Sequence, residues 1–181
     1  MPHTVTEPGG HCPTVSAWVI RTDLGADPRV LVHLHKKYGL LLQPGGHIER
    51  DEFAWVALLR ELREEAGYTP EQLEVLQPFR MPVQQKAGNI LTPTPLLQDC
   101  HVIDPDKGLH HWDSVFAVVA DGAPAHDPDE GESADLRWLT LDEFAAAPEA
   151  SEDAVVIARL AVDVLSRWMR VPAVDFPTRP A

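Results

Sequence analysis

The stretch that most limits how this chain can fold runs from Gly45 to Tyr68, GGHIERDEFAWVALLRELREEAGY. Two glycines lead through a charged loop into a segment from Glu52 to Ala66 that lacks proline and glycine. Rich in Ala, Leu, Glu and Arg, that segment predicts one helix of about four turns. At roughly 100° per residue, Trp55, Leu58, Leu59, Leu62 and Ala66 share one sector, and Glu61, Glu64 and Glu65 share the next. The helix should therefore rest on a core with its acids along one edge. Like charges one turn apart cost roughly a few tenths of a kcal/mol unless something positive lies among them. A hard divalent cation would meet that need. The paired glycines permit φ > 0, which can aim carbonyls or amides at an ion or a phosphate.

The spacing Gly46, five residues, Glu52, seven residues, Arg60-Glu61-Leu62, one residue, Glu64-Glu65, one residue, Gly67 resembles the signature of the Nudix hydrolases. Every fixed position is met, and only the closing aliphatic site departs, being Tyr68. The resemblance implies an α/β fold, an α/β/α sandwich around a mixed β-sheet, and a Mg²⁺ cofactor for which Mn²⁺ could substitute. It implies Glu61 and Glu65 as first ligands, Glu64 as a further ligand or a water-orienting base, and the Gly45 carbonyl as a backbone ligand. Arg60 would brace the glutamates by charge-assisted hydrogen bonds, while Glu52 would hold the loop and helix start together. Arg63 reads as a surface residue. The general base could come from this helix or from a later acidic loop, where Asp127, Asp129, Glu130 and Glu132 lie; Glu130 is the preferred member.

Composition narrows the rest. At 181 residues and 44% hydrophobic content the chain can bury the core of one domain. It has no apolar run of membrane-spanning length, and its first residues, MPHTVTEPGG, lack a basic start and an apolar core, so a cytoplasmic protein is expected. The net charge of −13 repels nucleic acid and anionic membranes, neither of which is an expected partner. It repels phosphorylated substrates too, which makes bound cations more necessary. Cys12 and Cys100 could form one disulfide, but in a cytosolic chain free thiols are the plainer reading.

Along the chain, residues 1–13 read as a loose arm, 14–170 as the catalytic domain and 171–181 as a Pro-rich extended tail. Strands are predicted for Thr14–Arg21, Arg29–Lys37, Leu73–Val83, Leu96–Ile103, Trp112–Ala120 and Asp135–Leu139. Thr140 and Glu143 form a capping-box pattern, and Ser151–Arg170 reads as a long amphipathic helix. His33 and His35 share a strand face, but no third ligand follows at zinc-like spacing. The order of strands, central helix and C-terminal helix independently suggests a mixed sheet between helices.

Outside the signature, Lys36, Lys37, Arg80 and Lys86 are candidates to meet phosphates, with Lys36 and Arg80 preferred. His110 and His111, just before a strand, and His47 beside the glycine turn are candidates to line a pocket mouth. Trp18, Phe79 and Trp112 could stack on a base, but core packing is the better default. The resulting expectation is cleavage of a phosphoanhydride bond in a nucleoside diphosphate derivative such as ADP-ribose or a nucleotide sugar. Pro82 lies roughly where the ADP-ribose-cleaving branch of the family places a proline. Nucleoside triphosphate pyrophosphohydrolysis is the nearest alternative, and a catalytically silent nucleotide-binding regulator is the rival from another class. The resemblance also allows a homodimer. An isopentenyl diphosphate isomerase would need a cysteine where this chain has Gly-Gly-His.

Overall fold

The computed structural model describes residues 9–80 and 91–178. Its strands are β1 (His11–Arg21), β2 (Arg29–His35), β3 (Leu40–Leu42), β4 (Gly45–His47), β5 (Leu73–Gln77), β6 (Leu97–Asp104), β7 (Leu109–Ala120), β8 (Leu136–Leu139) and β9 (Met169–Pro172). The helices are α1 (Ala54–Ala66), α2 (Leu141–Ala146) and α3 (Glu152–Val164). The strands join in the order β3-β2-β1-β7-β5-β9, with β4 on β1, β6 on β7 and β8 on β2. Only the central β1–β7 pairing is parallel among the described pairs, which makes the sheet mixed.

Both faces of the sheet are covered, so its central strands are apolar almost throughout. Val15, Ala17 and Val19 of β1 and Phe116 and Val118 of β7 pack under α1 with Trp55, Leu58 and Leu62. The alternate residues Trp18, Ile20, Val115, Ala117 and Val119 pack under Phe144 of α2 and Ala158 and Ala161 of α3. The predicted α/β/α sandwich is thus observed. The predicted capping box is also present: Glu143 N–H donates to Thr140 Oγ1 (3.2 Å) and Thr140 N–H to Glu143 Oε2 (2.8 Å).

Several boundaries move, each for a tertiary reason. β1 begins at His11 because it aligns with His110 of β7, and this draws Cys12 into full burial. β7 accordingly starts at Leu109, so His110 and His111 lie within the strand rather than before it. Strand β5 stops at Gln77 ahead of Pro78, whereas Pro82, Val83 and Lys86 lie outside the described residues. The last helix ends at Val164 because the chain turns back to add β9 along β5. Beyond it Phe176 is buried and meets Trp55 edge to face at 5.7 Å, so the part of residues 171–181 that is described is docked rather than an extended tail. Cys12 and Cys100 form no disulfide, Cys12 being buried and Cys100 exposed.

The β2–β8 pairing buries His33, 4% exposed, and burial followed by the neighbouring His35 lowers its pKa to about 4. The folded His33 is neutral at pH values where the unfolded chain takes up a proton. Stability from this residue is therefore full above pH ~6.5 and falls as the pH drops toward about 4, by up to about 3 kcal/mol. A His33→Leu variant should lose less stability than the wild type between pH 7 and pH 4.5, measured by urea unfolding.

Candidate active site

Helix α1 lays Leu58, Leu62 and Ala66 on the core and turns Arg60, Glu61, Glu64 and Glu65 toward β4 and the loop before the helix. Its start lacks a side-chain cap on Phe53. The preceding loop is instead pinned by Glu52, whose Oε2 accepts from Glu49 N–H (3.1 Å). Arg60 ties the cluster together. Its Nε and Nη2 bind Glu52 (2.8 and 2.9 Å), Nη1 binds Glu61 Oε1 (2.7 Å) and Glu64 Oε2 (3.2 Å), and Nη2 also reaches the His47 carbonyl (3.0 Å). All five guanidinium donors are therefore engaged.

The paired glycines serve here by close approach. Neither Gly45 nor Gly46 has positive φ; both lie in β4, contrary to the sequence expectation. A Cβ on Gly46 would overlap the Glu61 carboxylate, and the Gly45 N–H donates to Glu65 Oε2 (2.8 Å). Gly67 is the position that needs a left-handed backbone. At φ +71° it ends α1, with its N–H on the Arg63 carbonyl and Tyr68 N–H on that of Leu62. A Cβ there would strike the His126 carbonyl, so Gly67→Ala should cost about 2 kcal/mol or more in chemical denaturation. Tyr68 fills the usual aliphatic site with a buried ring and sends its hydroxyl to the Gly122 carbonyl (3.1 Å).

The glutamates are more buried than an edge position suggests. Glu61 and Glu65 are 6% and 9% exposed, because β4 lies against this face of the helix. Burial raises the pKa of Glu61 even against Arg60, and raises that of Glu65 to about 8 against the Gly45 amide. The charges of Glu64 and Glu132 push both in the same direction. Glu52 moves the other way, its carboxyl held low by Arg60. Three carboxylates thus share one guanidinium, and Glu65 is held by the Gly45 amide beside them.

The acidic loop before β8 folds onto this cluster. Asp129 N–H donates to the Glu64 carbonyl (2.7 Å) and His126 N–H to that of Gly67 (3.2 Å). Arg63, exposed as expected, is nonetheless employed, pairing with Asp129 (3.2 Å). Lys36 Nζ donates to the carbonyls of Gly131 (2.5 Å) and Glu132 (2.9 Å), holding the loop with two of its three donors. Glu130 is exposed, whereas Glu132, half-buried, is the loop acid that Glu61 and Glu65 feel.

The other candidates disperse. Arg80 is exposed just after β5. His110 stacks on His11 at 5.3 Å, and His111 meets His47 and His101 edge to face at 5.1 and 5.2 Å. Trp18 is core as expected, but Phe79 and Trp112 are 54% and 52% exposed. Phe79 follows the end of β5, and Trp112 lies opposite exposed Cys100 in the β6–β7 pair. One buried charge was not singled out from sequence. Asp113, 5% exposed, accepts from Ser16 Oγ (2.6 Å), and its signal was a lone acid inside the apolar run WDSVFAVVA.

A family model described as the NUDIX domain matches residues 10–160. The chain belongs to the Nudix family. A solved Nudix-family hydrolase from Clostridium perfringens is 29% identical, with a TM-score of 0.69 over 84% of this chain and 97% of that one. An Ap4A hydrolase from C. elegans, solved as a binary complex, is 17% identical, with a TM-score of 0.65 over 86% of this chain and 98% of that one. The NUDIX domain of Shewanella oneidensis NrtR, complexed with ADP ribose, is 20% identical, with a TM-score of 0.56 over 86% and 89%. No curated protein matches. The expected class, a Nudix hydrolase of pyrophosphate bonds, follows from the family.

Nudix hydrolases generally use divalent metals, and the donor set here can be tested against one. Among the described residues no three His, Cys, Asp or Glu side chains stand arranged to hold an ion. Arg60 and the Gly45 amide account for this departure from the expected convergence of Glu61, Glu64 and Glu65. They take Glu61 Oε1, Glu64 Oε2 and Glu65 Oε2, leaving the second oxygen of Glu61 and of Glu65 without a described hydrogen bond. Oxygen-only donors, an excess of buried negative charge and a glycine Cα that admits Glu61 all suit a hard cation such as Mg²⁺.

Proposed function

We propose that this Nudix hydrolase cleaves the phosphoanhydride bond of a nucleoside diphosphate derivative, such as ADP-ribose or a nucleotide sugar, by attack of water on phosphorus. Glu61, Glu64 and Glu65 would hold Mg²⁺, or Mn²⁺ in its place, with the Gly45 carbonyl as a backbone ligand. The ion's part is to neutralise phosphate oxygens and lower the pKa of a bound water. The observation that carries this reading is the pair of buried acids, Glu61 and Glu65, that face the Gly45–Gly46 strand with only the Arg60 guanidinium paired to one of them.

The chain's own groups divide the work. Arg60 fixes Glu52, Glu61 and Glu64 relative to the glycine strand, and the Gly45 N–H orients Glu65. Glu64, with its side chain 25% exposed and Arg63 Nη2 3.5 Å from its Oε1, keeps access to solvent and would take the proton of the attacking water. Glu132, the loop acid whose charge reaches Glu61 and Glu65, would share that role. The ADP ribose in one structural neighbour and the Ap4A named in another support a nucleotide-type diphosphate as substrate. All the signature acids being present speaks against a silent regulator.

The test is a panel of nucleoside diphosphate derivatives assayed with Mg²⁺. Release of nucleoside monophosphate is expected, and a chelator should abolish it. Mn²⁺ or Mg²⁺ should also stabilise the fold, by about 2.7 kcal/mol at a hundredfold excess over Kd, read as a higher melting temperature. Tight nucleotide binding without any cleavage would transfer the assignment to the regulator reading.

A further inference from the structure

Among the described residues β6 pairs with β7 alone, so its outer edge presents backbone N–H and C=O groups to solvent. The other strands at the margins of the sheet, β3, β4, β8 and β9, are 3 or 4 residues long and offer little to a second strand. β6 has 8 residues and neither the lysine nor the proline that blunts an edge. A register shift between Val102 and Asp104 bends only its end. Exposed apolar residues gather along it. Val102 is 53% exposed, Trp112 is 52% exposed, and Cys100, the cross-strand neighbour of Trp112, is exposed as well.

The sequence of this edge complements itself. From Leu97 to Ile103 it reads LQDCHVI, with an acid before the central cysteine, an imidazole after it and an aliphatic residue at each end. Let a second copy run antiparallel with Cys100 against Cys100. Asp99 then stands opposite the partner's His101, and His101 opposite the partner's Asp99, each pair on one face of the joined sheet. Slipping the register by one residue flips the faces, and slipping it further sets Asp99 against the partner's Asp99 or the partner's Ile103. Within one chain Asp99 Oδ2 and His101 Nδ1 are 2.7 Å apart, while the second oxygen and the second nitrogen have no described hydrogen bond. Both side chains are part-exposed, at 38% and 49%, and open to a partner. A net charge of −13 makes two copies repel over most of their surface, so a self-contact belongs where acid and base alternate.

We propose that the outer edge of β6 is the surface on which two copies of this chain associate, joining their sheets through an antiparallel β6–β6 pair centred on Cys100. The seam places both Cys100 thiols side by side and a Trp112 ring one strand behind each, which gives the exposed apolar residues of this edge a use. The α1 acids face β4 rather than this edge, so association is read from mass and stands apart from hydrolysis.

Sedimentation of the wild type at pH 7 should shift from the 20.0 kDa chain at about 1 µM to twice that mass at about 100 µM, with Kd on the order of 10 µM for so small an interface. His101→Asp and Asp99→Lys should each weaken association about tenfold or more, because each opposes like charges across the seam. An equimolar mixture of the two variants should dimerise again, since every opposed pair then carries opposite charge. Mixing cannot repair the pairing of residues 99 and 101 inside either chain, so recovery belongs to the interface. Diamide, which takes two electrons and two protons from a pair of thiols, should link two wild-type chains and leave Cys100→Ser unlinked. Opposed Cα atoms of an antiparallel pair lie about 4.5–5.5 Å apart, within disulfide reach. A wild type that stays monomeric at about 100 µM overturns the interface. So does a dimer that both folded single variants retain, or that their mixture fails to restore. Should either variant not fold, the wild-type link through Cys100 decides, and its absence from the dimer overturns the register.

Discussion

Glu65→Gln is expected to lower kcat by roughly 10²–10⁴-fold while leaving the fold intact or stabilising it. The two effects separate because they have different origins. The amide keeps an acceptor for the Gly45 N–H, so the contact between α1 and β4 survives. What disappears is a charge that the fold holds against burial and against Glu61, Glu64 and Glu132. The sign follows from the raised pKa. Between pH ~4.5 and about 8 the unfolded chain ionises this residue and the folded chain resists, so the wild type loses stability as the pH rises through that window. Glu65→Gln should flatten that loss in metal-free buffer, measured by urea unfolding at pH 5 and pH 8. An equal fall in activity and melting temperature would instead make Glu65 a structural residue.

Arg60→Met should be the most destabilising single change in the site, by about 3 kcal/mol or more, because removing one partner leaves the others buried and uncompensated. The side chain is 18% exposed and joins three carboxylates and the His47 carbonyl. Arg60→Lys should recover only part of this, since one ammonium cannot reproduce the planar fork that serves Glu52 through two nitrogens. The loss should shrink at pH 4, because burial raises the Glu61 carboxyl, which then takes up a proton and needs no partner. Equal urea midpoints for wild type and Arg60→Met at pH 7 would show that the network contributes no net stability.

How much of this was legible in the sequence depended on range. Helix α1 and the Thr140–Glu143 capping box follow from spacings within one element, and both are present. Signals that depend on a partner strand were misread. His110 and His111 looked like a loop because nothing local shows that β7 runs on to align with His11. Trp112 and Phe79 looked like core because hydrophobicity alone cannot say which side chains extend past the helices that cover the sheet.

By itself the sequence determined the class of fold, the family signature and the helix that carries the acids, because periodicity and residue spacing are properties of a single segment. The tertiary structure decided how those acids stand: which oxygens Arg60 occupies, that Glu61 lies over a glycine, and that Glu65 is sealed against β4. It alone revealed that Asp113 is buried, bound by Ser16 on the neighbouring strand. Burial and hydrogen-bond partnership arise only when distant strands meet, and they govern whether a carboxylate is a solvated surface charge or a reactive one.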